Sequence, residues 1–470
     1  MNKTINIEPI SRLEGHAKVS VNLNENGDVV DAKLHVLEFR GFEKFMEGRM
    51  IWEAPRITTQ ICGICPVSHH LAAAKACDDL FGVEIPETGM KLRELMQMSQ
   101  YIHSHSLHFF ALAAPDFVFG PDADPAVRNL LGVIDANPEL AKKAITLRKM
   151  GQTMIERVGG KAIHPVTAIP GGMSKPLSKE DREQMLKDAK TAVELSTLAL
   201  DVGKEIFEKY RDLIPKFAAI KTKHMGLTNK GALELYDGML KINDINGGNL
   251  IEFDPRNYLE HIAEHVNDWS YMKFPYYRQM GYPDGIFRVG PLSRMNVADR
   301  ISTDLANTEM KEFKRAFGAF PQYTLLYHHA RLIELLYASE RAFELLSDES
   351  ITDERVRVPV ERVEGEGVGV IEAPRGTLFH HYKTDSSGKI TMANLIVATA
   401  GNNHAMNLSI ADVAKGFIKN GKFTEGILNR VEMALRAYDP CLSCATHAMG
   451  QMPLELELRM QECVLDTVRR

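Results

Sequence analysis

The sequence predicts an α+β fold, mainly α: a long-helix bundle core with a small β-sheet towards each end of the chain. Three observations carry that reading. Apolar residues recur every three or four positions through residues 91–119, 181–217 and 303–346, the spacing that lays one stripe of a helix against a core. Residues 16–36 alternate instead with a period of two, as half-buried strands do, and residues 367–399 form a second β-rich patch around a turn. The 470 residues are 44% hydrophobic and 25% charged, with a mean hydropathy of −0.19. That composition supports a large core and is foreign to collagenous, disordered or membrane-spanning chains.

In chain order, His16 to Leu23 and Val29 to Val36 flank Asn26-Gly27, a hairpin signal because both turn residues tolerate positive φ. Ser178 stands three residues before Asp181, a capping box with Asp for the usual Glu. A helix therefore starts just after Pro176 and runs beyond about 25 residues. Leu325, Leu326, Leu332, Leu335, Leu336 and Leu345 give the third periodic stretch its apolar stripe. Residues 378–382 and 390–397 bracket an Asp385-Ser386-Ser387-Gly388 turn. With no repeat, low-complexity run or flexible linker, residues 1–470 read as one interleaved unit. It is β-rich over about 1–60, helical over 61–350 and β-rich again over 351–447.

The balance of 56 basic against 62 acidic residues gives −6 at pH 7, with no global pull toward nucleic acid or anionic lipid. The start lacks a basic stretch leading into an apolar run, and no segment approaches about 18 apolar residues in succession. The expected location is cytoplasmic, with no membrane partner.

Four of the six cysteines form two C-x-x-C pairs, Cys62 with Cys65 and Cys441 with Cys444. If they share a metal, the two ends of the chain must meet. Closing so long a loop costs on the order of 5 kcal/mol in an unfolded chain, so only a folded protein joins the pairs efficiently. Two independent features, a surface knuckle and a redox dithiol, are one alternative, and a structural four-thiolate zinc site is another. Zinc ribbons put both pairs on short neighbouring knuckles, whereas here the whole core intervenes, and soft thiolates suit nickel or iron as readily.

Beyond the cysteines, five segments stand out: Arg12-Leu13-Glu14-Gly15-His16, Arg40-Gly41-Phe42-Glu43, Ile61-Cys62-Gly63-Ile64-Cys65-Pro66-Val67-Ser68-His69, Glu372-Ala373-Pro374-Arg375-Gly376 and Asp439-Pro440-Cys441-Leu442-Ser443-Cys444-Ala445-Thr446-His447. This ordered set resembles the large-subunit motifs of nickel-iron hydrogenases and spans almost the whole chain. His164-Pro165 and Pro170-Gly171-Gly172 match a further segment of that family. The related quinone-site subunit of complex I lacks the four cysteines.

The resemblance implies that all four thiolates bind nickel, with Cys65 and Cys444 also bridging to an iron that carries carbon monoxide and cyanide. Dihydrogen is then split heterolytically, with Cys441 as first proton acceptor and Glu14 next, its carboxyl raised by desolvation. Arg375 lies over the metals, with Asp116 and Asp439 as its carboxylate partners. Pro374 and Thr399 contact the iron's diatomic ligands, and His69 stands near a bridging sulfur. Glu43, the carbonyl of Leu395 and His447 form a second site for Mg2+ or Fe2+. His103, His105 and His108 are expected to be ordinary helix histidines, since His103 and His105 do not share a face.

By the same resemblance a maturation protease removes residues 448–470 once nickel is in place. The alternation through residues 452–458 suits a short strand in that tail. Among the chain's motifs there is no iron-sulfur cysteine ladder and no nucleotide-binding glycine loop. An iron-sulfur small subunit is therefore implied, with an electron-acceptor module that is either heterodisulfide reductase with a linker subunit or an NAD(P) diaphorase. The rival functions are a non-catalytic zinc or scaffold protein and a quinone-site relative of complex I.

Overall fold

Four long helices, Glu87–Leu107, Pro138–Gly159, Lys179–Lys209 and Leu326–Ser347, pack side by side at the centre of the molecule. The computed structural model describes residues 3–361 and 363–446, together with the backbone of 455–460 and 463–469. The Lys179–Lys209 helix begins where the capping box places it: the Ser178 hydroxyl accepts from the Asp181 N–H at 3.1 Å and donates to its carboxylate at 2.9 Å. Gly203 lets this helix meet its neighbour closely, since a Cβ there would lie 2.2 Å from Leu332 Cδ1.

Two periodic stretches are interrupted. Residues 303–346 form two helices, Asp304–Phe317 and Leu326–Ser347, because Gly318 leaves the helix at φ +98° and Pro321 follows. The first stretch begins as Glu87–Leu107, opens into a π-helical turn at His108–Ala113 and resumes at Ala114–Val118.

At the N-terminus, Ala17–Leu23 and Val29–Val36 form the expected hairpin, and Lys3–Ile7 adds a third antiparallel strand. Near the other end, Gly365–Ala373, Gly376–Thr384 and Ile390–Ile396 make a second antiparallel sheet, backed by the helix Pro66–Phe81. The close spacing of Gly367 and Gly369 belongs to this contact. Added Cβ atoms would meet the carbonyl oxygens of Ala76 and Ala72 at 2.3 and 2.1 Å, so only glycine lets strand and helix approach so closely.

The span expected to be helical also contains a five-stranded sheet. Phe287–Arg288, Lys223–Asn229, Met239–Asn243 and Asn249–Phe253 lie in that order, with Ala232–Leu233 beside Lys223–Asn229. Six consecutive residues of Lys223–Asn229 are buried, including Lys223, His224 and Thr228, so the strand shows no alternation. Its apolar side chains join those of the second sheet, Met225 and Leu227 with Val370, Phe379 and Ile396, in one small core. Among the described residues no helix is long and apolar enough to cross a membrane. In the tail, Glu455–Met460 pairs antiparallel with Cys463–Arg469; residues 452–454 of the expected strand, and His447, lie outside the described residues.

Candidate metal centre

Local structure presents each cysteine pair as a loop at a helix end. Cys62 follows the short helical turn Thr58–Ile61, and Cys65 is the N-cap of Pro66–Phe81, with Pro66 at the first helical position. The N–H groups of Ile64 and Cys65 donate to Cys62 Sγ at 3.2 and 3.4 Å. The other pair follows the helix Glu425–Tyr438, which stops at Asp439 in the left-handed region (φ 55°) before Pro440, a residue that cannot continue it.

Contact between the two ends is made by the backbone. The Leu442 N–H donates to the Glu14 carbonyl at 3.1 Å, and Gly15, at φ +89°, lies directly under the second loop. A Cβ on Gly15 would sit 2.8 Å from Leu442 Cβ and 2.9 Å from Ser443 N. The glycine between Glu14 and His16 thus permits the close approach.

The outcome is four sulfurs within 4.8 Å of one another, each cysteine at most 4% exposed. Cys62 Sγ lies 3.4 Å from Cys441 Sγ, Cys65 Sγ 3.7 Å from Cys444 Sγ, and Cys441 Sγ 2.7 Å from Cys444 Sγ. An ion about 2.3 Å from each sulfur in a tetrahedron sets sulfur–sulfur edges near 3.8 Å; the 3.4 and 3.7 Å separations approach that value, while Cys441 and Cys444 lie closer together. Burial pushes the Cys441 and Cys444 thiols well up. Cys62 is held down by hydrogen bonds with Cys441, Cys444 and Cys65 and by the nearby Arg375 charge. Four buried thiols in this arrangement do not all ionise without a cation among them.

Arg375 supplies one positive charge. It is 3% exposed and donates to Asp439 Oδ1 at 3.0 Å and to Ser104 Oγ at 3.3 Å. Burial opposes its charge, but Asp439 and the Cys441, Cys65 and Cys62 sulfurs outweigh that and hold its pKa above the ordinary value. Asp116 does not share this guanidinium, contrary to the expectation. It meets Arg12 at 2.5 Å and Arg436 at 2.8 Å and accepts from Asn429 at 3.1 Å. With Arg12 and Arg436 on its carboxylate and Arg128 at 3.9 Å, Asp116 fastens the N-terminal motif to the last helix rather than pairing with Arg375.

Beside the sulfurs lies a cavity of about 10 Å³, lined by Cys65, Cys441 and Cys444 together with His69, Pro374, Arg375 and Thr399. Thr399 Oγ1 accepts from the Cys441 N–H at 3.0 Å. Arg375 Nε, Asp439 Oδ2 and His69 Nε2 are buried with no hydrogen-bond partner among the described residues, as expected of groups that face a bound species.

Glu14 is half-buried rather than enclosed, and its carboxylate accepts from the Ser443 N–H at 3.2 Å and from the Ser443 hydroxyl. Glu43 accepts from the Leu395 N–H at 2.8 Å, and burial raises its pKa despite the nearby Lys273. The Arg40 N–H donates to the Thr446 carbonyl at 2.9 Å, which ties the end of the last motif to the segment bearing Glu43. The helix histidines are core residues: His105 meets Glu334 at 3.0 Å, His108 meets the Arg436 carbonyl at 2.7 Å, and His103 is buried. Ser104 and His380 are contributors that the sequence does not announce. Ser104 hides between two histidines on a helix, and His380 in a buried strand.

Four sulfurs that need a cation, gathered from both ends of one chain, define a thiolate-ligated metalloprotein. The family model described as nickel-dependent hydrogenase matches residues 40–127 and 228–447, and one described as HoxL-like matches residues 4–39. One subunit of the F420-non-reducing hydrogenase of Methanothermobacter thermautotrophicus is 47% identical, over 99% of both chains. The beta subunit of the NAD-reducing hydrogenase HoxS of Cupriavidus necator is 44% identical, over 97% of this chain and 96% of its own length. The solved NAD+-reducing [NiFe]-hydrogenase superposes with a TM-score of 0.92 at 44% identity, covering 95% of this chain and 99% of that one. The chain belongs to the nickel-dependent hydrogenase family. It is a catalytic large subunit, an enzyme acting on hydrogen, and neither the zinc-scaffold nor the quinone-site alternative is favoured.

Proposed function

We propose that Cys62, Cys65, Cys441 and Cys444 hold nickel, that Cys65 and Cys444 also bridge to an iron carrying carbon monoxide and cyanide, and that the chain cleaves dihydrogen reversibly. The single observation that carries this reading is the gathering of the four sulfurs within 4.8 Å. When bound, such a centre supplies the heterolysis of dihydrogen, which overall yields two protons and two electrons. Cys441 Sγ takes the first proton, and Glu14, hydrogen-bonded to Ser443 in the same loop, receives it next. Arg375, fixed by Asp439 and Ser104, stabilises the anionic centre. The cavity is lined by Cys65 and Cys444, the cysteines proposed to hold the iron, and so supports a place for its ligands. There Thr399, already accepting from Cys441, keeps its own hydroxyl proton for a cyanide nitrogen, beside Pro374.

In the same reading Glu43, the Leu395 carbonyl and His447 hold Mg2+ or Fe2+. The Glu43–Leu395 and Arg40–Thr446 hydrogen bonds support it, because they draw these three segments together. An iron-sulfur small subunit takes the electrons. A groove lined by Arg40, Phe42, Phe45, Arg49, Trp52 and Arg56 supports its docking beside the first cysteine pair, since Phe45 and Trp52 are about half exposed and Gln60, two residues before Cys62, also lines it. Beyond the small subunit the acceptor is heterodisulfide reductase with a linker subunit or an NAD(P) diaphorase. The relatives include both an F420-non-reducing and an NAD-reducing hydrogenase. A maturation protease removes residues 448–470 in the cytoplasm.

Elemental analysis with infrared spectroscopy of the mature complex tests this. Stoichiometric nickel and iron with carbon monoxide and cyanide bands are expected; zinc without those bands contradicts it.

A further inference from the structure

Behind the cavity lies a buried row of polar groups that the roles above leave unused. His69 Nδ1 is 3.1 Å from His380 Nε2, and His380 Nδ1 is 2.6 Å from the Tyr382 hydroxyl. All three residues are at most 1% exposed. His69 sits in Pro66–Phe81, four residues past Cys65, while His380 and Tyr382 point to the same face of the strand Gly376–Thr384 by its two-residue period. The row therefore spans the contact between that helix and that sheet.

The direction of the hydrogen bonds follows from counting protons. A phenol carries one O–H, and a neutral imidazole carries one N–H on either nitrogen. In one arrangement Tyr382 donates to His380 Nδ1, His380 Nε2–H donates to His69 Nδ1, and the His69 proton resides on Nε2. In the reverse arrangement His69 Nδ1–H donates to His380 and His380 Nδ1–H donates to the Tyr382 oxygen. The phenolic proton is then stranded in the core, since His380 is the sole partner of that hydroxyl among the described residues. The first arrangement leaves every buried proton between these groups engaged. Burial favours neutral histidine here, as the lowered pKa of His69, about 4, also indicates.

We propose that Tyr382 and His380 are positioning residues that set the His69 tautomer, so that His69 presents an Nε2–H donor to the metal centre. The outer end of the row fits that role: His69 Nε2 is the buried, unpartnered nitrogen, and His69 lines the cavity with Cys65, Cys444 and Arg375. A donor beside thiolate sulfur or an iron ligand withdraws electron density from the centre, so the tyrosine and the second histidine tune the metals from beyond bonding range. This inference rests on the proposed nickel-iron reading, but its tautomer can be read without metal.

Two measurements test it separately. Long-range proton–nitrogen spectra of the metal-free chain labelled with 15N-histidine, with His69 assigned by loss of its signals in His69→Gln, are expected to show the Nε2–H tautomer. A His69 Nδ1–H tautomer overturns the proposal whatever metal the protein binds. In the metal-loaded complex, His380→Met removes the donor and Tyr382→Phe removes the bias. Both are expected to retain nickel while the carbon monoxide band moves to lower frequency or splits, and His380→Gln, whose amide can still donate to His69, is expected to restore it. A band unmoved in both His380→Met and Tyr382→Phe overturns the tuning role. Failure of the wild-type complex to show any such band counts against the nickel-iron reading and leaves the tautomer result standing.

Discussion

Asp439→Asn offers the sharpest energetic test of the site, because it removes one charge with little change of shape. Asn, like Asp, tolerates the left-handed backbone found there (φ 55°) and can still accept from Arg375. What it cannot do is neutralise a guanidinium that is 3% exposed. Breaking a buried ion pair by removing one partner costs about 3–5 kcal/mol. Where that range applies depends on the metal. Without it, burial keeps the Cys441 and Cys444 thiols protonated, Cys62 is the one metal-site sulfur whose pKa is lowered toward the thiolate form, and the cost falls near the upper end. With nickel bound, thiolates replace those thiols and the cost falls toward about 3 kcal/mol or below. Urea titrations of Asp439→Asn, Arg375→Met and the double variant, with and without metal, form a double-mutant cycle. The expected coupling is about 3 kcal/mol in the metal-free chain and smaller in the loaded one. Additivity within about 0.5 kcal/mol in both states refutes the reasoning.

Other consequences follow from the same geometry. Gly15→Ala forces a Cβ to within 2.8 Å of Leu442 Cβ at a positive φ, which adds at least about 1–2 kcal/mol of backbone strain. It should weaken nickel retention in dialysis far more than it lowers secondary-structure content; nickel held as in wild type counts against the end-to-end contact. Glu14→Gln keeps the Ser443 hydrogen bond and should leave metal content unchanged while suppressing hydrogen–deuterium exchange with solvent; undiminished exchange removes Glu14 from the proton path. Burial lowers His70 and His105 to about 4 and His329 to about 3, against 6.5 when unfolded. The unfolded chain therefore takes up more protons as pH falls below 6.5. Stability that is complete above that value is lost toward pH 4, by about 2 kcal/mol per such histidine at pH 5. Urea midpoints that stay flat from pH 7 to 5 contradict that burial.

Sequence periodicity marks Val29–Val36 and helices such as Asp304–Phe317 because each buries one side and leaves the other toward solvent. The Lys179–Lys209 helix even begins at its capping box. The middle sheet escaped notice for the opposite reason. Lys223 to Thr228 are all buried, and the polar residues among them are held by hydrogen bonds, as where His224 meets Ser293 at 2.9 Å. The cysteines and their motifs were readable because metal ligation constrains residue type and spacing. Partner choice was not, since any buried arginine draws on whichever carboxylate the fold delivers. Asp439, at the end of a helix, reaches Arg375, whereas Asp116, beyond a π-helical turn, reaches Arg12 and Arg436 instead.

The account stands on a single nickel ion held jointly by the two ends of the chain. Nickel-edge X-ray absorption of the purified complex, compared with the paired variants Cys62→Ser/Cys65→Ser and Cys441→Ser/Cys444→Ser, addresses that directly. Sulfur ligation at about 2.3 Å in the wild type and loss of nickel from both variants is the expected result. Nickel retained when either pair is replaced contradicts it.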